Sequence, residues 1–189
     1  MVRVAVIGSK GYLGSRVSSS LRTKGLDVLE VVRTTQFLQS LQSMNLETSD
    51  DRDTVIFAAG AVRHLTQEDE IRNYTSQYLD SVRESVAIAK KLGFPRFLFL
   101  SSGDVYGFNK LGRVTEESAL NPVTPYGESR AAGEALASFL AASEGLNLLI
   151  TRLFLVAGPN QPERFLNSAL STLKSGLTFR VNRPNATRD

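Results

Sequence analysis

Ser101-Ser102-Gly103-Asp104-Val105-Tyr106-Gly107 and, further on, Tyr126-Gly127-Glu128-Ser129-Arg130 carry the residue types from which a proton relay is built: hydroxyls, a phenol and a cation. Tyr126 and Arg130 stand at i and i+4, so on a helix they share a face, with the cation beside the phenol. A free tyrosine ionises at about pH 10, and a nearby positive charge is what brings a phenol into service as a proton carrier near neutrality. Such a set moves a proton on and off a hydroxyl-bearing carbon. Taken singly, Ser102 also reads as a strand-end hydroxyl capping loose backbone groups, and Tyr126 as an aromatic at a helix start.

A second set lies at the N-terminus. Val2 to Ile7 is an apolar run bounded by glycine and reads as a buried strand. Gly8-Ser9-Lys10-Gly11-Tyr12-Leu13-Gly14 follows, and Leu13, Val17 and Leu21 then recur at helical spacing as far as a stop at Gly25. The glycines therefore sit in a strand-to-helix turn. Glycine lets a backbone turn tightly and come close to a ligand, and a helix N-terminus offers unpaired N–H groups with partial positive charge. Together these suit a pyrophosphate. The spacing is G-x-x-G-x-x-G, and a glycine triplet alone is also what an ordinary tight turn contains. The strand before it and the amphipathic helix after it favour the nucleotide.

Strands and helices alternate around both sets, which predicts an α/β fold: a doubly wound parallel sheet of Rossmann type. Strands are expected over Val2–Ile7, Val28–Val32, Thr54–Ala59, Phe97–Leu100 and Leu148–Phe154, with a last short one over Thr178–Val181. Helices are expected over Tyr12–Lys24, along the stripe Ile71, Tyr74, Tyr78, Val82, Val86 and Ala89 up to Gly93, over Tyr126–Ser143 up to Gly145, and over Pro162–Lys174. The two tyrosines of that stripe read as core. Gly103 to Pro125, punctuated by Gly107, Gly112, Pro122 and Pro125, reads as loop. Between Arg33 and Asp53, Phe37, Leu38, Leu41 and Met44 look helical and no β-branched run follows. The third strand of a full dinucleotide fold is thus expected to be missing or vestigial.

The chain has 189 residues, 42% of them hydrophobic and 22% charged, with a formal net charge of +3 and no cysteine. That is enough chain for one domain with a real core. No stretch approaches the ~20 apolar residues of a membrane helix, and the first residues form a strand rather than a secretory leader. The cytoplasm is the expected compartment, without disulfides or thiolate chemistry. The cations are scattered and not interleaved with aromatics, which argues against a nucleic-acid partner. His64 is the lone histidine, so no metal site is expected, and it reads as a loop residue.

In this order the motifs resemble the short-chain dehydrogenase/reductase superfamily, and more closely its extended branch of nucleotide-sugar epimerases, dehydratases and reductases. That branch reads G-x-x-G-[YF]-[LI]-G, then S-S-x-x-V-Y-G, then P-x-x-x-Y-x-x-[ST]-K. Gly8 to Gly14, Ser101 to Gly107 and Pro122 to Ser129 fit. Arg152-Leu153-Phe154-Leu155-Val156-Ala157-Gly158-Pro159 looks like R-x-F-N-V-Y-G-P, and Thr187-Arg188-Asp189 like the start of T-R-D-F. The resemblance spans essentially the whole chain. It implies a single NAD(P)-binding domain over 1–189, with about 160–189 as the start of an incomplete substrate-binding region. Members of the branch run on past T-R-D, so the chain is expected to be a fragment or a short form.

The resemblance also implies roles. Tyr126 exchanges a proton with a sugar hydroxyl, Ser102 hydrogen-bonds the same oxygen, and Arg130 stands where the family has a lysine that bonds the nicotinamide ribose. That swap keeps charge and changes shape. Gly8, Lys10, Gly11, Tyr12, Leu13, Gly14, Arg33, Ala58, Ala59 and Gly60, with Tyr126 and Arg130, are the expected cofactor contacts. An acidic residue about 20 positions beyond the glycine turn suits the ribose 2′-OH of NAD, whereas an arginine suits the 2′-phosphate of NADP. Arg33, with Lys10 adding a charge, favours NADP and leaves NAD open. Dehydratases of the branch carry an Asp-Glu pair after the serine or threonine. Gly103 stands at its first position, so elimination is disfavoured against epimerisation or ketone reduction. Leu155 replaces an asparagine aimed at the nucleotide-sugar. A nucleotide-sugar substrate is implied, and a homodimer is allowed. The alternative is a non-catalytic NAD(P)-binding sensor or partner module of the same fold.

Overall fold

Val4, Ala5, Val6 and Ile7 are all buried, so the first strand is covered on both faces, as a central strand of a parallel sheet must be. A computed structural model describes residues 1–41, 49–60, 67–107, 113–159, 161 and 165–180, the side chains of 165 and 166 excepted. The first strand, β1 (Arg3–Ile7), pairs in parallel with β2 (Asp27–Val31), Ala5 opposite Leu29, and with β3 (Thr54–Phe57), Ala5 opposite Val55. β3 pairs in parallel with β4 (Arg96–Ser102), Val55 opposite Phe97, and β5 (Asn147–Leu153) completes the order β2-β1-β3-β4-β5. The strand order reverses between β1 and β3. In open α/β sheets, ligands bind at the carboxyl ends of the strands at such a switch point.

Helix α1 (Tyr12–Thr23) sets Val17 and Leu21 against Val4, Val6 and Ile56 on one face. The other face is larger. There α2 (Thr34–Ser40), α3 (Glu68–Leu92) and α4 (Pro125–Glu144) bring Phe37, Tyr78, Val82, Val86, Ala89 and Ala137 onto Ile7, Val55, Phe57, Phe97 and Phe99, with the Phe57 and Phe99 rings stacked at 5.0 Å. The α4 start is built from sequence: Pro125 occupies the first turn and the Thr124 hydroxyl accepts from the Gly127 N–H at 3.0 Å. Gly93 and Gly145 end α3 and α4 in the left-handed conformation, at φ 69° and 68°.

Among the described residues no strand lies between β2 and β3 and β2 is an edge of the sheet, in keeping with the expectation of a missing or vestigial third strand. Other expectations need correction. β3 stops at Phe57, so Ala58 and Ala59 already lie beyond the strand. β4 runs on through Ser101 and Ser102, which carry no apolar signal and extend because the strand does. Residues 103–125 are not all loop, since Gly103–Tyr106 forms one 3₁₀ turn. Residues 178–180 form no strand. Met44, His64, Gly112, Pro162, Val181 and the segment 187–189 lie outside the described residues.

The chain divides into two units, Met1–Arg152 and Leu153–Asp189. In the second, α5 (Phe165–Lys174) is tied to the preceding segment by the Asn167 amide, which donates to the Gln161 carbonyl at 2.9 Å. Among the described residues no helix is long and apolar enough to cross a membrane.

Candidate functional site

The glycine turn follows β1 directly. Gly8 lies at φ 79°, a Cβ on it would stand 2.8 Å from the Ala59 Cα, and a Cβ on Gly14 would stand 2.2 Å from the Gly8 carbonyl oxygen. These two glycines are required by the turn's own packing. Gly11 is different: its Cβ position meets only the Gly8 oxygen, at 3.2 Å. Gly11 is also the N-cap of α1, with no side-chain cap and no acidic residue in the first turn. The helix therefore begins with backbone donors that no side chain satisfies, which suits an anion. Tyr12 and Leu13 open α1, with the Arg16 guanidinium 3.8 Å above the Tyr12 ring. Lys10 is exposed, its Nζ 3.6 Å from Glu30.

Ser102 ends β4. Its Oγ accepts the Asp104 N–H at 3.2 Å, capping the 3₁₀ turn, and keeps its own hydrogen to donate. A Cβ on Gly127 would lie 2.6 Å from the Asp104 carbonyl oxygen, so the start of α4, with Tyr126, is pressed against the turn that follows Ser102. This is how a strand end and a helix start, far apart in sequence, meet at one edge.

Arg130 is buried, only 2% exposed. Its Nη1 donates to the Ala59 carbonyl at 3.2 Å, and its Nη2 donates to the Gly60 carbonyl at 2.8 Å and to the Tyr74 hydroxyl at 3.0 Å. The guanidinium lies 4.1 Å from the Tyr78 ring centroid and 4.5 Å from that of Tyr126. Burial works against its charge, but the phenols of Tyr78, Tyr126 and Tyr74 more than offset this, so its pKa is raised above the ordinary arginine value. Burial pushes the Tyr78 phenol up to about 12. The sequence places a cation beside the phenol. The structure puts it on the faces of two tyrosine rings and turns its fork onto the backbone that leaves β3.

At the other end of the switch point, Arg33 caps α2 and is exposed. It borders a cavity of about 710 Å³ together with Val32, Thr35, Ala59, Asp80 and Glu84. Glu84 accepts hydrogen bonds from the Thr34 and Thr35 hydroxyls, the latter at 2.7 Å. Gly8, Gly11, Ala58, Ala59, Gly60, Ser102, Tyr126, Arg130 and Arg33 thus all lie along the carboxyl edge of the strands.

One cluster escapes sequence reasoning. Arg152 forks onto buried Glu134, with Nε at 3.1 Å from Oε1 and Nη2 at 2.9 Å from Oε2, while Nη1 donates to the Tyr106 hydroxyl at 2.7 Å and to the Glu116 carbonyl at 3.1 Å. The hydrogen bond to Glu134 is the strongest influence on Arg152, and with that to Tyr106 it outweighs partial burial and raises the Arg152 pKa. The clasp ties β5, α4, the 3₁₀ turn and the 113–121 segment together. Tyr106 and Arg152 each stand in a sequence motif, but nothing in the sequence joins them, and Glu134 signals itself only by sharing a helical face with Arg130.

The glycine turn and the uncapped α1 start fit a dinucleotide laid along this edge. A family model described as the NAD dependent epimerase/dehydratase family matches residues 4–188. The uncharacterized UDP-glucose epimerase YtcB of Bacillus subtilis is 28% identical over 159 residues, which cover 82% of this chain and 50% of that protein. Protein YeeZ of Escherichia coli K12 is 30% identical over 183 residues, 87% of this chain and 63% of that protein. The UDP-glucuronic acid 4-epimerase of Bacillus cereus, solved in complex with NAD, matches in fold with a TM-score of 0.72 at 21% identity, over 93% of this chain and 64% of that one. The chain spans about half the length of the first of these relatives.

Proposed function

The chain belongs to the NAD dependent epimerase/dehydratase family, and on that premise we propose that it binds a nicotinamide dinucleotide along the carboxyl edge of its sheet and serves hydride transfer at a carbinol or ketone carbon of a nucleotide-sugar. The observation that carries this is the convergence of the glycine turn, Ser102, Tyr126 and the buried cation of Arg130 on one edge, at the switch point. When bound, the nicotinamide supplies hydride donation and acceptance. The protein's part is to hold and to move protons. The α1 N–H groups and the Gly8–Gly14 turn receive the pyrophosphate. The Tyr126 hydroxyl exchanges a proton with the sugar hydroxyl, and the Ser102 hydroxyl donates to the same oxygen. Arg130 keeps a positive charge against the Tyr126 ring.

Gly103 has no acid to offer, which favours epimerisation or reduction over elimination of water. Arg33 is exposed at the cavity rim, as a ligand of the NADP 2′-phosphate needs to be, while Asp80 and Glu84 on the same wall work against a second anion. NADP is the preferred form in this reading and NAD an alternative substrate of the same cleft. The cytoplasm is its expected compartment, and a homodimer is allowed. Calorimetric titration with NAD and NADP tests the binding. Spectroscopic turnover across a panel of UDP- and dTDP-sugars tests the activity. Binding without turnover on any member would replace the enzyme with a cofactor-binding module, and no binding of either dinucleotide would remove both.

A further inference from the structure

Residues 58–60 leave β3 between two fixed objects. On one side is the glycine turn: the Ala58 N–H donates to the Ile7 carbonyl at 2.9 Å, and a Cβ on Gly8 would touch the Ala59 backbone at 2.8 Å. On the other side is Arg130, whose two Nη atoms address the successive carbonyls of Ala59 and Gly60. Gly60 lies at φ 101°, and a Cβ on it would stand 2.4 Å from Nη2 and 2.5 Å from Nη1. The guanidinium therefore fills the volume that a side chain at residue 60 would take. The guanidinium is itself held by the Tyr74 hydroxyl and by the rings of Tyr78 and Tyr126. Ala59, gripped in this way, also lines the cavity that Arg33 borders.

We propose that Arg130 is a positioning residue of the dinucleotide site, a clamp that holds Ala59 and Gly60 against the glycine turn, and that Gly60 and Arg130 are an interdependent pair. The inference rests on the proposed dinucleotide binding. What the clamp requires is the fork and not the charge. A planar guanidinium presents parallel donors to two successive carbonyls, whereas a lysine is a single point charge that leaves one of them unmet.

The test is a double-substitution cycle on the full chain, read by NAD titration, with circular dichroism and melting on every variant. Arg130→Lys keeps the charge and is expected to weaken NAD binding roughly tenfold, the loss of about one charged hydrogen bond. Gly60→Ala is expected to weaken it as well. In the Arg130→Lys background Gly60→Ala should cost less, because the volume has been vacated, while the strain of a positive φ is common to both arms and cancels. An Arg130→Lys chain that binds NAD as tightly as the parent, or strictly additive losses, would overturn the clamp. Should Arg130→Lys not fold, Tyr74→Phe removes one acceptor from Nη2 and keeps the ring. Weaker NAD binding at an unchanged melting temperature supports the clamp, and unaltered binding overturns it. If the parent binds neither NAD nor NADP, the dinucleotide reading itself has failed. The clamp is then read from amide hydrogen exchange at residues 59 and 60, which Arg130→Lys accelerates if the clamp exists and leaves unchanged if it does not.

Discussion

At the amino end of the sheet Asp53, fully buried, accepts from the Arg3 N–H at 2.7 Å, Arg3 Nε at 3.0 Å, Arg3 Nη2 at 2.8 Å and the Asp50 N–H at 3.0 Å. At the carboxyl end the wiring is incomplete. The Ser9 and Ser101 hydroxyls are buried there without a hydrogen-bond partner. A buried polar group left unmet costs about 1–3 kcal/mol, so a fold keeps such groups where something else uses them. The difference teaches which end holds the fold and which end is arranged for a ligand. Substitutions at the amino end should cost stability and leave binding alone, and those at the carboxyl end should alter binding or turnover without costing stability.

The largest expected effect is at the carboxyl end. Tyr126→Phe removes the proposed proton carrier and keeps the ring under Arg130. Turnover should fall by about 10²–10⁴-fold, the range of a general acid or base, with the melting temperature unchanged. A variant that keeps full turnover would remove Tyr126 from the relay.

The next largest is at the amino end. Asp53→Asn leaves the Arg3 guanidinium, 16% exposed, against a neutral amide, and should cost about 3 kcal/mol of stability without altering dinucleotide affinity. The same carboxylate predicts a pH dependence. Burial raises its pKa, but the backbone donors of Arg3 and Asp50 and the Arg3 side chain more than offset this, so the folded value lies below the ordinary one. A depressed acid contributes stability above its unfolded pKa, about 3.9, and loses that contribution as pH falls from there through the folded value. Urea unfolding at falling pH should show the parent weakening below about pH 4, and Asp53→Asn with a shallower slope in that window. Parallel curves would locate the acid sensitivity elsewhere.

Much of the carboxyl end is legible in sequence, because its parts are local: a glycine turn between a strand and a helix, and a phenol and a cation at helical spacing. The amino end is not. Arg3 and Asp53 are joined only because β1 and β3 are neighbours, and strand order is not written in either segment. The same limit hides what Arg130 holds, since Ala59, Gly60 and Tyr74 come from other elements. Local pattern also misplaces ends. Ser101 and Ser102 fall just beyond the apolar run Phe97–Leu100 and are still strand, while Thr178 and Phe179, expected as strand, form none.

Arg33 sharpens the comparison within the carboxyl end. If it meets a 2′-phosphate, NADP binds more tightly than NAD and Arg33→Asp inverts the order, by about 1.5–3 kcal/mol at low salt. Equal affinities in the parent would make Arg33 a solvated cation, and Asp80 and Glu84 would then set the character of that cavity.

The smallest effect is the most direct probe of unmet polarity. Ser101 is 6% exposed near the end of β4, and its hydroxyl has no partner. Ser101→Ala removes a desolvated hydroxyl and little volume. Because the group lacks a hydrogen bond to lose, the substitution should raise stability by about 1 kcal/mol, or roughly 2–4 °C in melting temperature. At the amino end no such gain is available, since every oxygen of Asp53 is engaged. A destabilised Ser101→Ala chain would mean that solvent satisfies the hydroxyl. The carboxyl end would then be as completely wired as the amino end, and the contrast between them would lose its physical basis.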